Sequence, residues 1–339
     1  MQAIGYFKTQ PIAAAESLLD LELPVPTPGP LDLLVEISAI AVNPVDAKVR
    51  ASRNSADGHT PVLLGWDAVG IVRGLGTSVQ GFAVGDRVWY AGDITRAGSY
   101  AQYQTVDHRI AALAPRSASD AEAAALPLTG ITAWELLFDR LEVQTRPERP
   151  VSLLVTGAAG GVGSILVQLA RALPHLTVIA TASRPESAAW LRELGAHHVI
   201  DHSQPLAAQV AALGAAPLRY VASLTHTPQH FSQLVEALEP QGRLALIDDF
   251  APEQLNVMTL KGKSLSLHWE MMFTRSMHTT YDIAEQGRLL AELARRIDSG
   301  ELRSTLGQVV GTINAANLKK AHVLIESQRS IGKLVLAGF

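Results

Sequence analysis

Four glycines separate two kinds of apolar pattern. Leu153, Leu154 and Val155 form a short apolar run. Gly157, Gly160, Gly161 and Gly163 follow, and from Val162 onward Ile165, Leu166, Leu169, Ala170 and Leu173 recur at helical spacing. The run suits a strand buried in a parallel sheet, and the later spacing suits a helix with one apolar face. Strand, glycine turn and helix together make a place for a pyrophosphate. Nothing projects from the glycines, so backbone N–H groups and the positive helix end can face the anion. The fingerprint G-x-G-x-x-G would begin at Ala158, with Gly160 and Gly163 in its other two places. A tight turn with no ligand would look the same, so the downstream residues decide. If a dinucleotide binds, its contacts come from Ala158, Gly160, Gly161, Val162 and Gly163.

The end of the next strand distinguishes the two nicotinamide cofactors. An NAD site places Asp or Glu there to bond the ribose 2′-hydroxyl. Here Val178–Ala182 runs into Ser183-Arg184-Pro185, and no carboxylate appears before Glu186. A hydroxyl and a guanidinium suit a 2′-phosphate, which arginine can hold with two parallel hydrogen bonds. The expectation is NADPH rather than NADH. The alternative is that Arg184 is a solvated residue near a helix start.

Other chemistries are excluded by what is missing. The chain has no cysteine, hence no disulfide, thiol nucleophile, iron–sulfur cluster or thiolate-bound zinc. Of the 11 histidines, His197 and His198 adjoin and would point apart in a strand. His226 and His230 could share a helix face, but they fall within the cofactor part. A net charge of −4 gives no reason to expect nucleic acid or an anionic membrane as partner. No apolar run approaches the roughly 18–20 residues of a membrane span. The N-terminus M-Q-A-I-G-Y-F-K-T-Q lacks a charged region followed by an apolar core, and the expected location is cytoplasmic.

The positioning elements fall into two textures, and 339 residues are enough for two domains. Residues 1–123 read as short strands punctuated by glycine, including Leu33–Ala41, Ala68–Val72 and Asp86–Tyr90. That pattern predicts a closed or partly closed β-barrel. Pro24, Pro26, Pro28 and Pro30 make an extended lead-in. From Ala121 the pattern turns helical. Ala121–Leu126 reads as a helix, Pro127 as an interruption and Ile131–Leu141 as a second helix, followed by a polar loop at Thr145–Pro150. Beyond it, strands at Leu218–Ser223, Arg243–Asp248 and Ser264–His268 alternate with helices, and Tyr281–Ser299 reads as a long amphipathic helix. Alternation of this kind predicts an α/β fold with a doubly wound, Rossmann-type parallel sheet. Gly332–Leu336 reads as a final strand.

In this order the chain resembles the medium-chain dehydrogenase/reductase superfamily. It is most similar to the quinone-oxidoreductase branch and to the zinc-type alcohol dehydrogenase-like proteins within it. The resemblance spans the whole chain. It is carried by Asn43-Pro44-Val45-Asp46, Gly65-Trp66-Asp67-Ala68-Val69-Gly70, Gly85-Asp86-Arg87-Val88, Gly98-Ser99-Tyr100-Ala101, Leu126-Pro127-Leu128-Thr129 and Gly157–Gly163. It implies a GroES-like catalytic domain of residues 1–123, completed by 304–339, and a dinucleotide-binding domain of 124–303. Zinc alcohol dehydrogenases carry Cys where this chain has Asn43, and His-Glu where it has Trp66-Asp67. They also carry a four-cysteine lobe where only five residues separate Gly92 from Gly98. Trp cannot ligate zinc and Asn is a poor ligand, so no metal is expected. Without a Lewis acid, alcohol oxidation loses its main stabiliser, whereas a quinone or α,β-unsaturated carbonyl spreads the incoming charge by conjugation. The resemblance therefore implies NADPH-dependent reduction of a small-molecule quinone or enone. The alternatives are an enoyl-thioester reductase, or a dinucleotide-binding structural or redox-sensing protein with little turnover.

The resemblance also nominates residues. Asn43 would touch the nicotinamide ribose or the substrate carbonyl, or else cap a turn. Asp46 would cap a short helix, or else do acid–base work. Trp66, at the former metal position, would line a narrow pocket or simply pack. Tyr90 would donate a proton or be a core tyrosine. Thr129, His202, Leu224, Thr225, Ile247 and Asp248 would meet the cofactor, the strand ends mainly through main-chain groups. Met271 and Phe273 would wall the pocket or a dimer edge. Lys333 would lie near the cofactor or be an exposed strand lysine. Relatives commonly pair through the sixth strand, which implies a homodimer.

Overall fold

The computed structural model describes residues 1–143 and 149–339, so most of the expected polar loop at Thr145–Pro150 lies outside the described residues. The described chain divides into two compact units, residues 1–131 with 273–339 and residues 132–272.

The first unit opens with β1 (Gln2–Tyr6), β2 (Leu19–Glu22) and the long β3 (Asp32–Val42), followed by α1 (Pro44–Ser52) and β4 (Val62–Leu63). Next come β5 (Ala68–Leu75), β6 (Arg87–Tyr90), β7 (Tyr103–Asp107), β8 (Ala111–Leu113), α2 (Asp120–Ala124) and α3 (Pro127–Trp134). Strand β3 alternates buried and half-buried residues until its last four, Ala39–Val42, which are all buried. It is therefore wrapped at its C-terminal end, where Asn43 starts α1. Pro127 does not interrupt a helix. It opens α3, where the missing N–H costs nothing because the first helical N–H groups have no intrahelical partner.

The second unit is a parallel sheet interleaved with helices. Its elements are β9 (Val151–Thr156), α4 (Gly161–Arg171), β10 (Leu176–Thr181), α5 (Pro185–Glu193), β11 (His198–Ile200), α6 (Leu206–Ala212), β12 (Leu218–Ser223), α7 (Thr227–Ala237), β13 (Arg243–Leu246) and β14 (Ser266–Trp269). Among the described residues the strand order is β11-β10-β9-β12-β13-β14, with every pairing parallel. All six residues of β9 are buried, as a central strand covered on both faces requires. Leu154, Val221, Leu234, Leu244 and Leu246 form the core beneath it.

The chain then returns to the first unit with α8 (Thr274–Met277), α9 (Glu285–Asp298), β15 (Leu306–Gly311), α10 (Ala315–Glu326) and β16 (Lys333–Ala337). These complete a sheet ordered β15-β16-β3-β5-β6-β8, with β7 also on β3. The units thus meet in sequence at 131/132 and 272/273, rather than at the expected 123/124 and 303/304. The reason is packing: α9 buries Leu289, Leu290, Leu293 and Ile297 and lies against β8 and the short turn His108–Ile110. It therefore belongs with the barrel and not with the parallel sheet.

Candidate active site

The polar centre of the first unit is built where four element ends meet. Strand β3 ends just before Asn43, β5 begins after Asp67, α3 begins beside Leu128, and β16 begins at Lys333. Asn43 is 1% exposed and Asp67 0%. The Asn43 amide donates to Asp67 Oδ2 at 2.7 Å. Lys333 Nζ donates to the same oxygen at 2.9 Å, to the Val42 carbonyl at 3.2 Å, and to Asn43 Oδ1. The Leu128 amide donates to Asp67 Oδ1 at 2.7 Å. Burial pushes the Asp67 carboxyl up, and Lys333, Leu128 and Asn43 pull it back.

This corrects one expectation. Lys333 is not an exposed strand lysine: it is 3% exposed, and the three donors of its ammonium are spent inside the barrel unit. Thr129 turns its hydroxyl toward the Leu126 and Ala125 carbonyls at 3.2 and 3.4 Å, so its one donor serves its own helix. The remaining candidates of this unit surround the polar centre without joining it. Trp66 is buried, donates to the Asp93 carbonyl at 3.3 Å, and stands edge-on to Phe273 with centroids 6.0 Å apart. The Tyr90 hydroxyl is buried with no hydrogen-bond partner, and burial raises its pKa, so it keeps its proton.

A second buried chain was not legible in the sequence. Arg50 Nε donates to His322 Nδ1 at 3.4 Å, and His322 Nε2 lies 3.3 Å from the Tyr100 hydroxyl. Arg50 also pairs with Glu326. Burial, helped by Arg50, lowers the His322 pKa to about 3, so the imidazole is neutral. Since Nδ1 accepts, the proton sits on Nε2. Asp46 takes the expected capping position, accepting from the Asn43 amide at 2.6 Å. Its other oxygen is buried without a partner, and burial raises its pKa to about 7.

In the second unit the glycine turn has the form that a phosphate cradle requires. Gly157 has φ +64°, and a Cβ there would come within 2.7 Å of Thr225. A Cβ on Gly163 would overlap the Ala158 backbone, so α4 can rest on the turn only through a glycine. A Cβ on Gly160, the residue before α4, would meet only the Gly157 carbonyl, at 3.5 Å. Ala158 is buried, while Gly160, Gly161 and Val162 are partly open. The residues therefore fit a pyrophosphate at the start of α4, held by backbone N–H groups.

The strand ends carry the other candidates. Ser183 is exposed, and Arg184 precedes α5 with a loose 3.5 Å pair to Glu186. Leu224 is buried and its N–H donates to Thr156 Oγ1 at 3.3 Å. The Asp248 carboxylate accepts from the Thr227 N–H and hydroxyl at 2.9 and 2.6 Å, so its side chain fixes the start of α7. Ile247 is half-buried and Met271 is 48% exposed. His202 lies against His230, ring centroids 6.2 Å apart.

Elsewhere in this unit, Arg140 bonds Glu270 at 2.8 Å and lies 3.5 Å from Glu135. Glu135 opens a π-helical turn, Glu135–Arg140. Burial, then Glu135, push Glu270 well up, and Arg140 offsets this only in part.

A parallel sheet in this strand order, opening on a glycine turn and accompanied by a barrel unit, defines a two-domain oxidoreductase of the dehydrogenase type. The chain belongs to the zinc-type alcohol dehydrogenase-like proteins of the medium-chain dehydrogenase/reductase superfamily. The alcohol dehydrogenase GroES-like domain family matches residues 29–116, and the zinc-binding dehydrogenase family matches residues 161–286. A zinc-type alcohol dehydrogenase-like protein of Staphylococcus aureus (strain MRSA252) is 38% identical over 338 residues, 99% of each chain. A crystal structure from Rhizobium etli CFN 42 is 52% identical and covers 100% of this chain and 98% of that one, with a TM-score of 0.96. A quinone oxidoreductase from Pseudomonas syringae pv. tomato DC3000 is 26% identical over 99% of each chain, with a TM-score of 0.81.

The donors present decide against the zinc in these family names. Asn43 Oδ1 is taken by an ammonium, and that ammonium stands beside Asp67, where a metal would need its own charge compensated. The Trp66 indole offers an N–H and no lone pair. These residues do not fit zinc. Among the described residues, no group of three or more His, Asp or Glu side chains is placed to hold a metal.

Proposed function

We propose that the protein reduces quinones or α,β-unsaturated carbonyls with NADPH and without zinc. The observation that carries this reading is the Lys333 ammonium bonded to both Asn43 and Asp67. A fixed buried cation balances the Asp67 charge but has no open coordination position, so it cannot take up an alkoxide as a Lewis acid would. A conjugated acceptor does not need one. Ser183 and Arg184, following β10 with no carboxylate between, support NADPH.

When bound, NADPH supplies a hydride to the β-carbon of an enone or to a quinone ring, and the electron pair displaced there moves to the carbonyl oxygen. The chain's own residues hold the reactants and manage the proton. The turn from Ala158 to Gly163 holds the pyrophosphate through main-chain N–H groups, and Ile247, Leu224 and Thr225 line the strand ends. Asn43, held rigid by Lys333 and Asp67, fixes the turn from β3 into α1. Trp66 and Phe273 form a flat aromatic corner suited to planar acceptors. Tyr90, protonated and without a partner, is the candidate donor to the oxygen. The protein acts as a homodimer, joined along the edge strand β14.

The test is NADPH consumption with 9,10-phenanthrenequinone, 1,4-benzoquinone and a series of 2-alkenals. Turnover with at least one class is expected, unchanged by a chelator. Absence of turnover with all of them, alongside tight NADPH binding, would replace this reading with a redox-sensing role. In active protein, Tyr90→Phe is expected to lower kcat by about 100-fold if its hydroxyl gives the proton. An unchanged kcat assigns the proton to water.

A further inference from the structure

Three histidines gather beside Arg184 on the second unit. His202 follows β11, His226 precedes α7, and His230 lies one turn into α7. His202 is half-buried with its ring edge-on to that of His230, which is 8% exposed. His226 is exposed and adopts φ +53°, a left-handed conformation uncommon for a residue with a side chain. Its Nδ1 lies 2.9 Å from the Thr225 hydroxyl. Each ring is near enough to the others to feel their charge, and Arg184 acts on His202 in the same way. Burial first, and then these cationic neighbours, hold His202 and His230 below the ordinary histidine range.

The anionic groups around the cluster are few. Asp201 adjoins His202 and pulls its pKa up, but it also accepts from the Ser203 amide at 2.8 Å. Glu186 pairs with Arg184, and Asp248 is engaged by Thr227. Four groups able to carry positive charge thus converge, with Glu186 beside Arg184 and Asp201 beside His202 as their anionic neighbours.

We propose that His202 and His226, with His230 as a positioning residue behind them, take up a proton when the 2′-phosphate of NADPH arrives beside Arg184, so that preference for NADPH over NADH strengthens as pH falls. This rests on the NADPH reading above and adds a regulation to it. The sign follows from linkage. In the free protein, burial and then the cationic neighbours hold His202 and His230 below the ordinary histidine range. A phosphate dianion nearby favours the charged form and raises their pKa, so binding takes up protons and tightens as pH falls toward the free-state pKa. The phosphate itself gains a proton near a pKa of about 6, which sets the lower end of the window. NADH has no 2′-phosphate and does not engage the cluster.

The experiment measures dissociation constants for NADPH and NADH from pH 6.5 to 8.5, by calorimetry in two buffers of different ionisation enthalpy. For the wild-type protein, the ratio Kd(NADH)/Kd(NADPH) is expected to rise about tenfold from pH 8.5 to 6.5, with net proton uptake on binding NADPH alone. The His202→Gln/His226→Gln double variant should keep a preference for NADPH through Arg184 but lose the slope. That variant retains any contribution from the phosphate's own titration. A ratio above one that is flat in the wild type, or a slope unchanged in the double variant, overturns the proton linkage and leaves the NADPH reading standing. A ratio of one or less at every pH overturns both. Proton uptake in the wild type decides the matter even if the double variant folds poorly.

Discussion

At the scale of single residues, the molecule places charge where water is absent and compensates for it locally. Asp67 has no exposure, yet both its oxygens accept hydrogen bonds and one also faces an ammonium. Removing one partner leaves the other buried and unpaired, which costs about 3–5 kcal/mol. Lys333→Met is therefore expected to lower Tm by roughly 5–15 °C, and adding Asp67→Asn should recover part of the loss. A thermal melt of the three variants checks this. Asp46 gives a pH signature. Its folded-state pKa of about 7 lies above the ordinary 3.8. Its contribution to stability is therefore complete below pH 4 and is lost as pH rises toward 7. The Tm of Asp46→Asn should vary less between pH 4.5 and 7.5 than that of the wild type, and parallel curves would refute the assignment. Arg184→Ala should raise the KM for NADPH far more than that for NADH; equal effects would remove Arg184 from cofactor choice. The members of the Asn43–Asp67–Lys333 cluster were all in view in the sequence, but 266 positions separate Asp67 from Lys333. Nothing local in a sequence reports such a pairing.

At the scale of elements, legibility followed burial pattern. Strands covered on both faces read directly: the structure has β12 at Leu218–Ser223, where its apolar run lies. The helices α6 and α10 did not read. Helix α6 is seven residues long, and α10 carries Lys319, Lys320 and His322 among its apolar positions. His322 is buried there because Arg50 and Tyr100 meet both of its ring nitrogens. Pro127 misled for a related reason, since a proline at a first helical position and one inside a helix look alike in sequence. The turn at Gly157 was legible because glycine reports its own geometry. Gly163→Ala is expected to weaken dinucleotide binding at least tenfold, because the new methyl displaces α4 from Ala158. Cofactor titration by intrinsic tryptophan fluorescence would reveal this, and unchanged affinity would mean that the helix start does not hold the pyrophosphate.

At the scale of the whole molecule, the open feature is a sheet edge. Strand β14 pairs only with β13 among the described strands. Beside it, Trp269 is 52% and Met271 48% exposed, with Trp269 tilted on Phe250 at 5.4 Å. An uncovered apolar edge invites pairing with a second copy. Trp269→Lys is expected to shift the protein from dimer to monomer in sedimentation, and a wild-type monomer at micromolar concentration would refute the homodimer. Among the described residues, no helix is long and apolar enough to cross a membrane.

The buried lysine also has a history in time. Asn43 and Asp67 leave the ribosome early, but the cation that neutralises their pocket is 290 and 266 residues further on. At roughly 5–20 residues per second, that delay is about 15–55 s. During it, closing the barrel over Asp67 would leave its carboxyl without the ammonium, held only by Leu128 and Asn43 and driven to take up a proton. The parallel sheet has no such debt, since its strands lie within one continuous segment. The parallel sheet can therefore form before the polar centre of the barrel is complete.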